Sequence, residues 1–377
     1  RFPKMIDQTI ADNCFTPAQE TRLEQLQADI PDGSLRLLTD GREDAWPRYL
    51  QPYLGQNWLE VPWLFVEIYY FRRILEATGY FENGVDPFAS QKEGGLQDAA
   101  ARIAALGRQL AEQPRETAAQ KEHIFQQLLS LSLWGNQADM SLFPAGSEHP
   151  NHADEQQQAD HTLVDDRTAV IAYLASQPYP RRIDFIMDNA AFELVSDLFL
   201  ADFLLHSEIA QTVNLHVKEH PYYVSDTMEK DVLSTLAWLA GQDEPALQRV
   251  SARLSAALGA DRLHIHTHPF WTLPTTYWQM PEPLRQELSA STLLISKGDL
   301  NYRRWMGDRH WDYTTPINQI ICYAPAPLLL LRTLKSDVAA GLAAADVQRL
   351  NAAEPGWDTS GRYGVIQFVE PPAQGNE

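Results

Sequence analysis

The chain has 377 residues, 44% of them apolar, with ten Trp and fourteen each of Tyr and Phe, which is enough for one large core or two smaller ones. Its formal charge of −20 repels nucleic-acid phosphates and anionic lipid, so neither is expected as a partner. A small anionic substrate would therefore need a local cationic pocket or a metal ion to offset the field of the whole molecule.

Arg1-Phe-Pro-Lys-Met5 does not read as a signal peptide, and no stretch reaches the roughly 18 apolar residues of a membrane span. Cys14 and Cys322 lie too far apart in sequence for a metal-spacing motif, and two free thiols fit a reducing, cytoplasmic setting. The first third is helical in character. Apolar residues recur at helical spacing over Ala18–Ile30 and Pro62–Thr78, with Gly79 as a stop, and a helical pair is read over Leu96–Gln113 and Thr117–Leu133. Between Asn136 and Asp166 the composition turns polar, and Ser147–His161 reads as an exposed loop or linker.

From about Ala169 the pattern changes to alternating strands and helices. Strands are expected at Ile183–Met187, Thr212–Val217, Arg262–His266, Thr292–Ser296, Gln319–Tyr323 and Tyr363–Val369. Helices are expected at Ala190–Leu205, Thr227–Ala240, Glu282–Glu287, Leu300–Met306 and Pro327–Ala340. Repeated βα units imply a mostly parallel sheet covered on both faces. The predicted fold is α/β: a helical subdomain over residues 1–166, with its polar linker at about 136–166, and a three-layer αβα, Rossmann-like domain over 167–377.

Four segments carry candidate chemistry. Asp188 and Asn189 stand where the apolar run Ile183–Met187 ends and a wholly apolar helix pattern begins. Either residue could cap that helix, but strand ends of open α/β sheets are also where ligands bind, and two adjacent oxygen donors suit a hard divalent cation. Glu193, Ser196 and Asp197 share one narrow face of the following helix, with Glu193 one turn from Asn189. Asp226 with Glu229 matches a helix-capping pattern, yet Asp226 would also serve as a third oxygen ligand. Ser296-Lys297-Gly298-Asp299-Leu300-Asn301-Tyr302-Arg303 ends another apolar strand. Gly298 permits close approach there, and Lys297, Asn301 and Arg303 offer donors for a phosphate. Arg332-Thr-Leu-Lys335 adds a basic pair after the apolar run Leu328–Leu331. His264, His266 and His268 alternate along a strand and so could form a zinc cluster, but packing and hydrogen bonding beside Phe270 and Trp271 is the expected role. No nucleophile elbow or glycine-rich phosphate loop occurs.

Taken together, Asp188-Asn-Ala-Ala-Phe-Glu-Leu194, Val224-Ser-Asp226, Phe270-Trp-Thr-Leu-Pro274, Lys297-Gly-Asp-Leu-Asn-Tyr-Arg303 and Arg332-Thr-Leu-Lys335 resemble the metal-dependent damage-control phosphatases. The subgroup is the one that includes the acidic-residue methyltransferase-like proteins. Trp58–Ile74 and Leu133-Trp-Gly-Asn-Gln-Ala-Asp139 extend the likeness to nearly the whole chain. Ala191 departs from the pattern, which is expected to carry Gly; a methyl group there should be tolerated inside a helix. The resemblance implies a divalent metal (Mn²⁺, Mg²⁺, Co²⁺ or Ni²⁺) on Asp188, Asn189 and Asp226. It implies substrate contacts from Asp299, Leu300, Asn301, Tyr302 and Arg303 and a phosphate contact from Lys335; Lys297 is expected beside them to balance charge on the phosphoryl oxygens. Glu193 matches a position tied to methyl-donor binding in the related methyltransferase proposal. The implied activity is hydrolysis of small sugar phosphates, of the fructose 1-phosphate or 6-phosphate type. A protein-carboxylate methyltransferase and a non-catalytic sugar-phosphate binder are the alternatives.

Overall fold

The computed structural model describes residues 2–42, 44–135 and 160–370. Most of the expected 136–166 linker, including most of Ser147–His161, lies outside the described residues, as do Asn136–Asp139 of the resemblance. The longer helices of the first third are α1 (Phe2–Ala11), α2 (Pro17–Asp29), α3 (Trp63–Thr78), α4 (Ala89–Asp98), α5 (Ala100–Glu112) and α6 (Ala118–Trp134). Thr16 and Thr117 start α2 and α6 with capping boxes that satisfy the first free N–H groups. Gly79 ends α3 at φ 67, the left-handed geometry that glycine adopts without steric cost. The single helix expected over Leu96–Gln113 is divided at Ala99 between α4 and α5.

Seven strands follow: β1 (Thr162–Asp165), β2 (Arg182–Ile186), β3 (Thr212–Val217), β4 (Leu263–Thr267), β5 (Leu293–Lys297), β6 (Leu328–Thr333) and β7 (Gly364–Val369). They form one sheet in the order β1-β7-β6-β5-β2-β3-β4. Pairing is parallel from β6 through β4; β7 runs antiparallel to β6, and β1 runs parallel to β7. The intervening helices are α7 (Arg167–Ser176), α8 (Ala191–His206), α9 (Glu229–Ala240), α10 (Pro245–Gly259), α11 (Glu282–Ser289), α12 (Gly298–Trp305) and α13 (Ala344–Ala353).

Two expected elements are corrected. Gln319–Tyr323 is no strand; it holds the end of a short helix, Ile317–Ile320, and a turn. The apolar run expected to begin a helix at Pro327 is instead β6, whose six residues are all buried. A strand between two others and covered on both faces reads as a continuous apolar run without alternation, and Leu328–Leu331 has that form.

The sheet separates two cores. One joins α5, α6 and α8 to Ile183, Phe185, Leu215 and Leu329. The other gathers Ile186, Trp271, Trp305, Leu330 and Trp357 on the opposite face. A third cluster binds α1, α2 and α3 and reaches Tyr222 and Leu300 of the sheet-bearing region.

Candidate functional site

After β2 the chain turns to β3 on one side, whereas β5 pairs with β2 on the other. The carboxyl end of β2 is thus a topological switch point, where an open α/β sheet leaves a crevice. Asp188 and Asn189 emerge there. A short antiparallel bridge between Asn189 and Asp226 draws the second segment in. Ala190 N–H donates to the Ser225 carbonyl at 2.7 Å, and Thr227 N–H to that of Asp188 at 2.7 Å. The three residues, distant in sequence, therefore meet through backbone pairing.

Two donors secure the carbonyl of Met187, the residue before Asp188: Lys218 Nζ at 2.9 Å and Asn301 Nδ2 at 3.2 Å. Lys218 is buried and also lies 2.9 Å from Asp226 Oδ2. Gly298, the first residue of α12, has φ +85, and a Cβ on it would fall 1.9 Å from Asp188 Oδ2. Only a residue without a side chain lets the helix start and the carboxylate pack this closely. Asn189 Nδ2 donates to Asp188 Oδ2 at 2.8 Å and to Glu193 Oε2 at 2.9 Å, while its Oδ1 accepts from Ser225 at 2.5 Å.

Burial, then Glu193 and Asp226, push the Asp188 carboxyl well above the usual carboxylate range. Burial also raises Asp226, against the opposing pull of Lys218. Two buried carboxylates in mutual repulsion are short of positive charge. Among the described residues, no three His, Cys, Asp or Glu side chains cluster so as to hold a metal. A cation here would thus rest on Asp188, Asp226 and the Asn189 carboxamide. Amide oxygen and nitrogen have the same shape, and exchanging them would turn Asn189 from donor to acceptor toward the two carboxylates. This oxygen-only set fits a hard divalent ion.

The site opens into a cavity of about 780 Å³. Asp188, Asn189, Glu193, Asp226, Arg303 and Lys335 line it, and Trp63, Glu67 and Phe71 of α3 close the facing wall. Lys335 is exposed, and its ammonium makes no hydrogen bond or ion pair with the described residues. Arg303 is held by Glu67 and Asp308, each at 2.7 Å. Burial works against its charge, but these partners prevail and raise its pKa. Asp299 pairs with Arg332 at 2.7 Å and accepts from the backbone N–H of Lys335 at 3.2 Å, so it fixes the loop that presents Lys335.

Three of the expected phosphate or substrate contacts are differently employed. Lys297 is buried between Glu193 (3.3 Å) and Asp197 (3.2 Å) and donates to the Ser132 carbonyl. Asn301 binds the carbonyls of Met187 and Lys297 and accepts from Tyr277. Tyr302 turns into the core, 3.5 Å from the Ala340 carbonyl and under the Arg332 guanidinium. Neither Asn301 nor Tyr302 lines the cavity, because their positions on α12 face the sheet. Leu300 does line it, as an apolar wall.

Residues 1–350 match the damage-control phosphatase ARMT1-like domain family. The chain belongs to that family. It is 35% identical to the damage-control phosphatase ARMT1 of Danio rerio over 92% of its own length and 83% of the relative's. For the Mus musculus protein of the same name the figures are 36%, 92% and 84%. The fold is also that of a DUF89 family protein from Pyrococcus horikoshii, with a TM-score of 0.52 at 13% identity, covering 98% of this chain and 96% of that one. This damage-control phosphatase family member is thus a hydrolase acting on phosphorylated substrates.

Two site residues of this family member escape a reading by motif. Lys218 directly follows the apolar strand β3, the same strand-end placement that singled out Asp188 and Lys297. Glu67 is a carboxylate inside the otherwise apolar run Trp63–Phe71. The three histidines pack as expected. His264 and His266 rings lie 5.8 Å apart, His266 stacks on His216, and His268 accepts from the Phe270 N–H. Ala191 is a correction: it has φ 56, so the family's Gly would suit a left-handed backbone rather than an ordinary helical position. Both cysteines are exposed and free, and no helix among the described residues is long and apolar enough to cross a membrane.

Proposed function

We propose that the chain releases phosphate from small sugar phosphates in a metal-dependent reaction, with Asp188, Asn189 and Asp226 as the metal's protein ligands. The observation that carries this reading is the meeting of two charge-deficient carboxylates and a carboxamide beside a free lysine in one cavity. Mg²⁺, Mn²⁺, Co²⁺ and Ni²⁺ all accept oxygen donors. When bound, such an ion polarises the phosphoryl group and lowers the pKa of an attacking water.

The chain's own residues do the rest. Lys335, fixed at its backbone by Asp299, supplies a point charge for the phosphoryl oxygens as their charge grows. Arg303, locked by Glu67 and Asp308, adds a cation that cannot swing away. Lys218 and Asn301 keep Asp188 in place through the Met187 carbonyl. Lys297 holds Glu193 against the Asn189 amide. Glu67, Trp63 and Phe71 bring the N-terminal helices over the sugar and exclude water. Fructose 1-phosphate and fructose 6-phosphate are the first substrates to try.

The test is phosphate release from a panel of sugar phosphates, with each of the four metals and with a chelator. Turnover should require metal and vanish in Asp188→Asn. Full activity in the chelator, or a folded Asp188→Asn protein that turns over normally, would remove the basis of the proposal. Lys335→Ala should lower kcat/KM for every phosphate ester, raising KM and lowering kcat together.

A further inference from the structure

A second cavity, of about 470 Å³, lies between the end of α5, the turn at 113–117, α8 and α10. It shares no lining residue with the cavity at the β2 end. Asp202 on α8, nine residues beyond Glu193, marks it as roughly 14 Å farther along that helix.

Its walls are unusual for so acidic a chain. Arg115, Arg249 and Arg253 all line it. One buried carboxylate answers them: Asp202, gripped by Arg253 through two bonds of 2.7 and 2.5 Å. That fork uses both Asp202 oxygens. Arg115 is half-buried, donates to the Leu110 carbonyl at 2.9 Å and lies over Phe203. Arg249 sits one turn before Arg253 on the same face of α10 and makes no hydrogen bond or ion pair with the described residues. Like charges at this spacing destabilise a helix; three guanidiniums face two carboxylates here, buried Asp202 and exposed Glu116, and Arg249 pairs with neither. Phe199 and Phe203 provide an apolar floor beside them.

We propose that this cavity binds a small organic anion, with its oxyanion between Arg115, Arg249 and Arg253 and its carbon skeleton on Phe199 and Phe203. Guanidinium forks match phosphate and carboxylate oxygens alike, so the shared chemistry is an oxyanion with two or more acceptor oxygens. The site is separate from the phosphatase cavity and stands whether or not the proposed reaction there is correct.

Isothermal titration of the full chain with inorganic phosphate, and separately with succinate, tests it. The Lys335→Ala protein is used so that phosphate binding at the other cavity is weakened. At least one anion should bind this protein at millimolar concentration or below, and the tighter one names the oxyanion class. Adding Arg115→Ala and Arg249→Ala should weaken that binding at least about tenfold, or about 1.4 kcal/mol. Arg253 is left in place because it neutralises Asp202. Arg249→Ala alone breaks no hydrogen bond or ion pair among the described residues and carries the test if the multiple variant melts early. Absence of binding by both anions, or affinities unchanged by Arg249→Ala, would overturn the proposal.

Discussion

At the scale of single residues, the site depends on how closely the backbone lets side chains approach. A methyl at Gly298 would strike the Asp188 carboxylate and would sit on a backbone of φ +85. Gly298→Ala should therefore lower stability by about 2 kcal/mol or more and nearly abolish phosphate release. Thermal melts and turnover of the purified variant check both, and a wild-type profile would show that Asp188 does not need this space. The sequence marks Gly298 as a point of close approach; that the approaching group is the chain's own carboxylate becomes visible only in three dimensions. Ala191 teaches the opposite lesson. Its place at a helix start made a methyl look harmless, yet its φ of 56 is a conformation that disfavours any Cβ. Ala191→Gly should raise the unfolding free energy by up to about 1 kcal/mol, measured by urea titration; a loss of stability would mean that glycine's extra freedom in the unfolded chain outweighs the relief.

At the scale of elements, α3 and α12 meet through Glu67 and Arg303. Both side chains are nearly inaccessible, so the pair joins the N-terminal helices to the last turn of α12 without solvent screening. Glu67→Gln keeps a hydrogen-bond acceptor but removes the charge. It should cost about 2 kcal/mol of stability, and it should raise KM for sugar phosphates because Arg303 and the α3 wall are both loosened. Unchanged melting and unchanged KM would separate α3 from the site. The strand-to-helix grammar that located Asp188 and Lys297 was legible because β2 and β5 are short apolar runs ending abruptly in polar residues. It failed between 317 and 333 for a physical reason. Ile320-Ile-Cys-Tyr323 has strand-forming residue types but no partner strand among the described residues, whereas Leu328–Leu331 has helix-forming types but lies between β5 and β7. Pairing and burial on both faces override local preference there.

At the scale of the whole molecule, acid stability is a contest among buried groups. His220 is held neutral, its pKa lowered by burial to about 3. Unfolding lets it take a proton below about pH 6.5, so the folded state loses stability as the pH falls from there toward 3. Asp197 acts in the other sense. Burial, against the opposing charge of Lys297, raises it to about 6, so acidification from 6 toward 4 protonates it within the fold and relieves a cost. Each contributes about 1.4 kcal/mol per pH unit over its window, so the two nearly cancel between pH 6 and 4. Asp184 breaks the balance. Burial alone would raise it, but His216 and Arg182 outweigh that and hold it at about 2. Its contribution, about 2 kcal/mol, is present above pH 4 and is lost between about pH 4 and 2. Asp188 and Asp226, also raised by burial, shift the chelated protein further toward stability on mild acidification, so its urea midpoint should fall steeply only below about pH 4. Asp184→Asn should be less stable than the parent at pH 7, with the gap closing by about pH 2.5 as the parent's own carboxylate becomes protonated. A gap of constant size across that range would mean that Asp184 is retained for shape rather than for its charge against His216 and Arg182.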